Sequence, residues 1–312
     1  MKKQAVKIPG DYYFDRSILP LALKKVQGNT VTHPHDYTAI PHWHNFSELV
    51  IITGGHGIQN INGTSYPVSA GDVFVIMGRT THFFEDHTHL DIINIMFDDR
   101  LFYHMHDYLN RIPGYHVIFR FEPELRSSRT FRNTLHLAVP ELLHVHRLTS
   151  LLHRELTGRS SGYEASAIAA LLELSIFLAR TLDNCRKPAP ITRLAALFTA
   201  LESSYQEDWP LSRMAKFCGM SVNTLLRTFQ AVVHQTPLQY LLKLRMNAAR
   251  LLLSEGNMSV AQTAFACGFH DSNYFTKCFK KYFHSPPLLF FLRKKKSKQK
   301  KNGQSKHSVV VP

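Results

Sequence analysis

An internal repeat near the C-terminus constrains the fold of this chain more than any other feature. The stretch "FCGMSVNTLLRTF" (residues 217–229) is echoed about 50 residues later by "ACGFHDSNYFTKCF" (266–279), with one extra residue after the turn. Cys218-Gly219 matches Cys267-Gly268, Leu225 matches Phe275, Arg227 matches Lys277 and Phe229 matches Phe279. Each copy follows a short amphipathic stretch with small residues, "LSRMAKF" and "SVAQTAFA". Helix, Gly-containing turn, helix is the plan of a helix-turn-helix, whose second helix enters the DNA major groove. The glycine turns the backbone without a Cβ clash, and the small residues let the two helices approach. A lone copy would read as part of a plain bundle. Two copies are joined here by one long helix, "TPLQYLLKLRMNAARLLLSE", with Pro237 in its first turn. Such a spacer can hold two recognition helices about 34 Å apart, one turn of duplex. Ser221 stands where its hydroxyl can cap the first recognition helix.

Charge points the same way. The net charge is +14, and residues 190–312 hold 18 Lys and Arg against 5 Asp and Glu, whereas residues 1–189 hold 19 against 18. A near-neutral module joined to one that meets a polyanion fits this asymmetry. Eight of the cations lie in the tail from Arg293 onward, which leaves +5 on residues 190–292. The tail, "RKKKSKQKKNGQSKHSVVVP", is low-complexity and basic and reads as disordered, and two readings of it stay open: added nonspecific phosphate affinity, or no contribution to operator choice.

A chain of 312 residues suggests two domains, and 44% hydrophobic residues suffice for buried cores. No run of about 18 apolar residues stands out, so no membrane span is expected. The start, "MKKQAVKIPGDYYFDRS", lacks the apolar core of a signal peptide. Cys185, Cys218, Cys267 and Cys278 show no CxxC spacing and read as reduced thiols in a cytoplasmic protein.

The fold class expected is multidomain α+β. From about Thr38 to Phe97, "SELVIIT", "GIQNI", "TSYPV", "GDVFVIM" and "LDIINIMF" read as short strands of a sandwich or barrel, with a type I′ hairpin turn at Asn62-Gly63. After Asp98, "RLFYHMHDYLNRI", "FRNTLHLAVPELLHVHRLTSLLHREL" and "YEASAIAALLELSIFLARTL" read as helices, with Pro140 breaking the second or starting its latter half. The last is apolar on most of its circumference and must be covered, by the β-domain or by another subunit. The expected domains are a β-rich and helical domain at 1–182, to which the resemblance described next assigns effector binding and dimerisation, a linker at 183–190 ("DNCRKPAP"), an all-α DNA-binding domain at 191–292, and the tail at 293–312.

Residues from about 191 to 285 resemble the DNA-binding domain of the AraC family of bacterial transcription regulators. The stretches that carry the resemblance are "MSVNTLLRTFQ", "LLKLRMNAARLLL" and "SVAQTAFACGFHDSNYFTKCFKKYFHSP". It implies that the first turns of the recognition helices face bases: Asn223, Thr224 and Arg227 in one, Asp271, Ser272, Asn273, Thr276 and Lys277 in the other. Arg227 suits guanine O6/N7, Asn223 and Asn273 suit adenine, and Asp271 suits a cytosine amine. Against this, Asp271 also suits a helix cap, and Lys277 a phosphate. One departure stands out: family members usually continue after Ser-Pro with Tyr-Arg or Phe-Arg, whereas "PLLFFL" (287–292) follows here.

In the N-terminal half, His42, His44, Phe46 and Glu48 alternate, which on a strand points all four one way. His42-x-His44-x3-Glu48-x6-Gly55 and Gly71-x10-His82 resemble the two motifs of the cupin barrel, although Met77 and Arg79 depart from the second. In cupin enzymes such residues converge on one metal. Two readings stay open: His42, His44, Glu48 and His82 hold Fe, Mn or Zn, or the same groups hydrogen-bond a sugar. The adjoining DNA-reading domain favours a sensor over a metal-dependent enzyme, with no cofactor required. Within the AraC family the chain looks most like the rhamnose-operon activators. That resemblance implies double-stranded promoter DNA, RNA polymerase and a sugar effector, L-rhamnose first, as partners. The architecture further implies a homodimer held by residues 163–182.

Overall fold

Alternating side chains build the N-terminal half into two facing sheets. In this computed structural model, residues 5–14, 18–27, 40–86, 89–123, 135–184 and 190–290 are described. Among the described residues ten strands form: β1 (Val6–Ile8), β2 (Leu21–Gln27), β3 (His42–His44), β4 (Ser47–Gly54), β5 (His56–Ile61), β6 (Thr64–Ser69), β7 (Asp72–Ile76), β8 (His82–Asp86), β9 (Asp91–Phe97) and β10 (Leu135–His136). One sheet has the order β1-β3-β8-β5-β6, the other β10-β7-β4-β9-β2. Their inner faces share a core of Val26, Val50, Ile52, Val68, Phe74, Ile76, Phe84, Leu90 and Ile92. Asn62 (φ 50°) and Gly63 (φ 82°) turn β5 into β6 as the Asn-Gly pair foretells.

Three expectations need correction. Strands β1 and β2 precede the expected start near residue 38, and β2 pairs along its whole length with β9. Leu21, Ala22 and Leu23 are all buried and Lys24 and Lys25 both largely exposed, so the "LALKKVQ" pattern is not a clean alternation. The segment expected to be helical from Phe131 instead contains β10, which pairs with Val73 and Asp72, and the helix starts at Val139 with Pro140 in its first turn. Residues of "RLFYHMHDYLNRI" form a 3-10 stretch, Asp99–Met105, followed by only one α-turn, α1 (His106–Leu109).

Next come α2 (Pro113–His116), a π-turn at Val117–Phe121, α3 (Val139–Gly158) and α4 (Tyr163–Asp183). Helix α2 approaches α4 so closely that a Cβ on Gly114 would lie 2.1 Å from the Ala179 carbonyl oxygen. Helix α4 is the one helix among the described residues that is long and apolar enough, by length and composition alone, to cross a membrane, a test that the core helix of a folded domain also passes. One face of it, with Ala167, Ala170, Leu171, Leu174, Leu178 and Ala179, is buried inside the protein.

The chain divides into two units, residues 1–199 and 200–312, and the division falls within α5 (Pro190–Ser203). In the first unit, Phe198 packs on Phe121 with ring centroids 4.7 Å apart. The expected linker lies mostly outside the described residues, and the basic tail lies wholly outside them.

The second unit is all-α: α6 (Leu211–Cys218), α7 (Val222–Val233), α8 (Pro237–Glu255), α9 (Val260–Ala266) and α10 (Ser272–Phe283). Helix α8, with 19 residues, is the long spacer expected from the sequence, about 28 Å in length. Thr236 and Gln239 close a capping box at its start.

Candidate nucleic-acid interface and effector site

The two helix-turn-helix units are built alike. Each turn holds a glycine in the left-handed region, Gly219 at φ 60° and Gly268 at φ 80°, and a Cβ on Gly268 would sit 2.4 Å from the Gln206 carbonyl oxygen. The second helices, α7 and α10, both run 12 residues from an extended N-cap, Ser221 or Asp271, to a left-handed C-cap, His234 or His284. Leu225 and Phe229, like Phe275 and Phe279, are fully buried. The Ser221 hydroxyl accepts from the Thr224 backbone N–H at 3.2 Å, the cap expected from the sequence.

The structure sorts the eight candidate DNA contacts. Asn223, Arg227, Asn273 and Lys277 are exposed. Thr224, Ser272 and Thr276 are half-buried, and two of their hydroxyls are engaged. Thr224 Oγ1 lies 2.9 Å from Ser221 Oγ, and Thr276 Oγ1 donates to the Ser272 carbonyl at 2.8 Å. Asp271 Oδ1 accepts from the Asn273 backbone N–H at 2.7 Å, so its capping role is built in.

The "PLLFFL" departure is part of the repeat. Residues 287–290 are helical, and Phe290 packs on Phe279 at 5.4 Å as Tyr240 at the start of α8 packs on Phe229 at 5.8 Å. Pro287 stands 50 residues after Pro237, the offset that also separates the N-caps.

In the first unit, β3, β4 and β8 bring the four polar candidates together. All are buried, and His42 stands opposite His82 across the β3–β8 pair. A bend at residues 45–46 interrupts the expected single strand, yet His42, His44, Phe46, Glu48 and Val50 still face one cavity. Phe46 stacks on His44, ring centroids 4.1 Å apart.

The histidines share one hydrogen-bond pattern. Nδ1 donates to a backbone carbonyl in each: His42 to Ile40 (2.8 Å), His44 to Phe46 (2.8 Å) and His82 to Thr80 (3.0 Å). Nε2 of His44 and of His82 both lie 3.1 Å from Glu48 Oε2. Burial pushes His42 down to about 4, and burial likewise lowers His44 against the pull of Glu48. Burial alone would raise Glu48, but the His44 and His82 nitrogens outweigh it and hold the carboxyl well below the usual range.

With Nδ1 already donating, an Nε2–H from His44 to Glu48 requires an imidazolium, which the burial of His44 opposes. A shared positive charge, proton or metal ion, resolves this. His42, Glu48 and His82 place ligand atoms within 4.8 Å of one another, and Nδ1–H bonds to carbonyls are the usual outer support of metal-binding imidazoles. The residues therefore fit a divalent transition metal. The enclosed space is about 30 Å³, enough for an ion and water and well below the roughly 300 Å³ typical of small-molecule pockets. A wider open cleft of about 500 Å³ lies elsewhere in this unit, lined in part by Leu23, Lys25, His153, Arg159 and Tyr163.

Several inward groups escaped the sequence reading. Lys24 and Asn94 line the small cavity. Gln59 is fully buried with neither amide atom hydrogen-bonded among the described residues. Its place two residues before the inward Ile61 was the available signal.

A family model for an AraC-like ligand binding domain matches residues 30–175, and a helix-turn-helix domain model matches residues 214–293. An HTH-type transcriptional activator RhaR from Mannheimia succiniciproducens is 31% identical over 265 residues, 83% of this chain and 89% of that protein. The chain belongs to the AraC family of transcription regulators. This AraC-family protein is thus a DNA-binding transcription regulator with a ligand-binding domain. It is also similar to an HTH-type transcriptional activator RhaS from Escherichia fergusonii, 28% identical over 79% of this chain and 85% of that one. A solved transcriptional regulator from Chromobacterium violaceum, with an AraC-type DNA-binding domain, is 28% identical over 32% of this chain and 90% of its own, with a TM-score of 0.31.

Proposed function

We propose that this AraC-family protein activates a carbohydrate-use operon in response to a sugar, with L-rhamnose the first to test. The observation that carries the reading is a buried His–Glu cluster inside a β-domain on the same chain as a duplicated helix-turn-helix. Names of relatives, RhaR and RhaS activators, support the sign of regulation.

Sugar hydroxyls exchange hydrogen bonds with Glu48, His44 and His82, and the small cavity widens to admit them. That coupling is what a sensor needs, since a ligand shifts a conformational equilibrium only by its different affinity for the two states. Asn223, Arg227, Asn273 and Lys277 meet DNA, with Thr224, Asp271, Ser272 and Thr276 shaping the helix starts. The protein works in the cytoplasm as a homodimer through α4, whose Ile168, Leu172, Ile176 and Phe177 are only half-buried, and it contacts RNA polymerase. It is a regulator and not an enzyme. A thermal-shift screen against monosaccharides tests this, because a ligand of the folded state raises apparent stability. One sugar should raise Tm and change transcription from a bound promoter; a sugar that does neither, across the panel, contradicts the reading.

The three committed Nδ1–H donors favour a second reading of the cluster, a resident divalent ion held by His42, Glu48 and His82. Such an ion supplies positive charge that neutralises Glu48 and draws ligand oxygens. Metal analysis of the purified chain should find one equivalent that is lost in His82→Ala and restored to chelated wild-type protein by Zn²⁺ or Mn²⁺ with a rise in Tm. Metal-free protein with no Tm response to either ion contradicts it.

A further inference from the structure

We propose that the two recognition helices read the same bases, so that the target DNA is a direct repeat. Its unit is an adenine and a guanine about two base steps apart, recurring about one helical turn along the duplex. The inference rests on the reading of α7 and α10 as groove-facing helices.

Side chains at equivalent positions carry it. Over the ten residues from each N-cap, 221–230 and 271–280, the order of exposed, half-buried and buried positions agrees at every position but one, where Thr224 is half-buried and Tyr274 exposed. Position two of each helix is an exposed asparagine, Asn223 or Asn273, and position six an exposed cation, Arg227 or Lys277. Residues four apart share a helix face and are separated by about 6 Å along the axis, close to two base steps. Asparagine pairs bidentately with adenine N6/N7, and Arg or Lys with guanine O6/N7.

The supports beneath the helices are also repeated, so the heads are presented alike. Leu225 and Phe275 anchor the same turn, and Tyr240 and Phe290 brace Phe229 and Phe279. No hydrogen bond or ion pair holds the side chains of Asn223, Arg227, Asn273 or Lys277 among the described residues, whereas the hydroxyls of Thr224 and Thr276 are engaged. Position three differs, Thr224 against the exposed Tyr274, so the repeat covers the bases read by Asn and cation and not their neighbours. Lys277 is assigned to a guanine on this equivalence, in place of the phosphate its residue type alone suggests.

The test is selection of the full chain on a duplex library with a randomised core of about 30 base pairs, long enough for two segments a turn apart. The expected winners carry the adenine–guanine pattern twice in the same orientation, about one turn apart. Asn223→Ala should lower adenine discrimination about 10-fold in one segment only, and Asn273→Ala equally in the other. Winners with two unlike segments overturn the repeat while leaving sequence-specific binding in place. No enrichment over a scrambled duplex overturns the DNA-reading assignment itself.

Discussion

Phe290 lies edge-on to Phe279, ring centroids 5.4 Å apart, and thereby extends the C-terminal repeat past the end of the second recognition helix. Phe283 joins the contact at 5.9 Å from Phe290. Phe290→Ala should destabilise the second unit by about 1–2 kcal/mol, the aromatic contact plus partial burial. Urea unfolding followed by far-ultraviolet circular dichroism checks this; an unchanged midpoint would show that the segment after Pro287 adds nothing.

Acid should weaken the first unit. His116 is fully buried, donates from Nε2 to the Asn110 carbonyl at 2.9 Å, and faces Arg120 across Nδ1. Burial first, then the Arg120 charge, lowers it to about 3. Its folded value lies below its unfolded value near 6.5, so both states are neutral above that pH. Between about 6.5 and 3 the unfolded chain takes up a proton the folded chain refuses, and stability falls by up to about 1.4 kcal/mol per pH unit. His42, lowered to about 4, acts with the same sign. His116→Gln should therefore flatten, without abolishing, the loss measured by urea midpoints at pH 7, 5.5 and 4.5. A mutant slope equal to wild type would mean that His116 titrates normally.

Capping and base reading separate at Asp271. Because its Oδ1 accepts from the Asn273 backbone N–H, Asp271→Ala should cost about 1 kcal/mol of stability, whereas Asp271→Ser should keep both stability and base preference. If Asp271→Ser folds normally yet changes the preferred base at one position, the carboxylate reads DNA after all.

His44→Ala removes a group that touches Glu48 and stacks on Phe46, far in sequence from the recognition helices. Response to the sugar should be blunted while affinity for DNA without sugar stays within about twofold, as expected for surface-independent sites. An undiminished thermal shift would place the ligand outside the barrel, with the cleft at Lys25 and Arg159 the next place to look.

Much of this was legible in the residues. Glycine turns, caps and buried positions of a helix-turn-helix are local, so the repeat revealed α6 to α10 and the Ser221 cap directly. The barrel was legible where Asn62-Gly63 and clean alternation marked its strands. It was not legible at β2, where two lysines interrupt the pattern, or at β10, whose two residues are strand only because Val73 and Asp72 pair with them. Likewise His42, His44, Glu48 and His82 were found from their spacing. Gln59, Asn94 and Lys24 were not, because a polar group inside a barrel is identified by what surrounds it and not by its own neighbours in sequence. The helical start at residues 287–290 escaped because its composition, "PLLFFL", differs from "PLQYLL" while its packing does not.

The measurement that bears most directly on the account is hydroxyl-radical footprinting of the full chain on a duplex selected for binding. Two recognition helices carried on one compact all-α unit should protect two clusters of sugars on one face of the duplex, centred about one turn apart. A single protected cluster, or two on opposite faces, would contradict the pairing of α7 and α10 as groove readers.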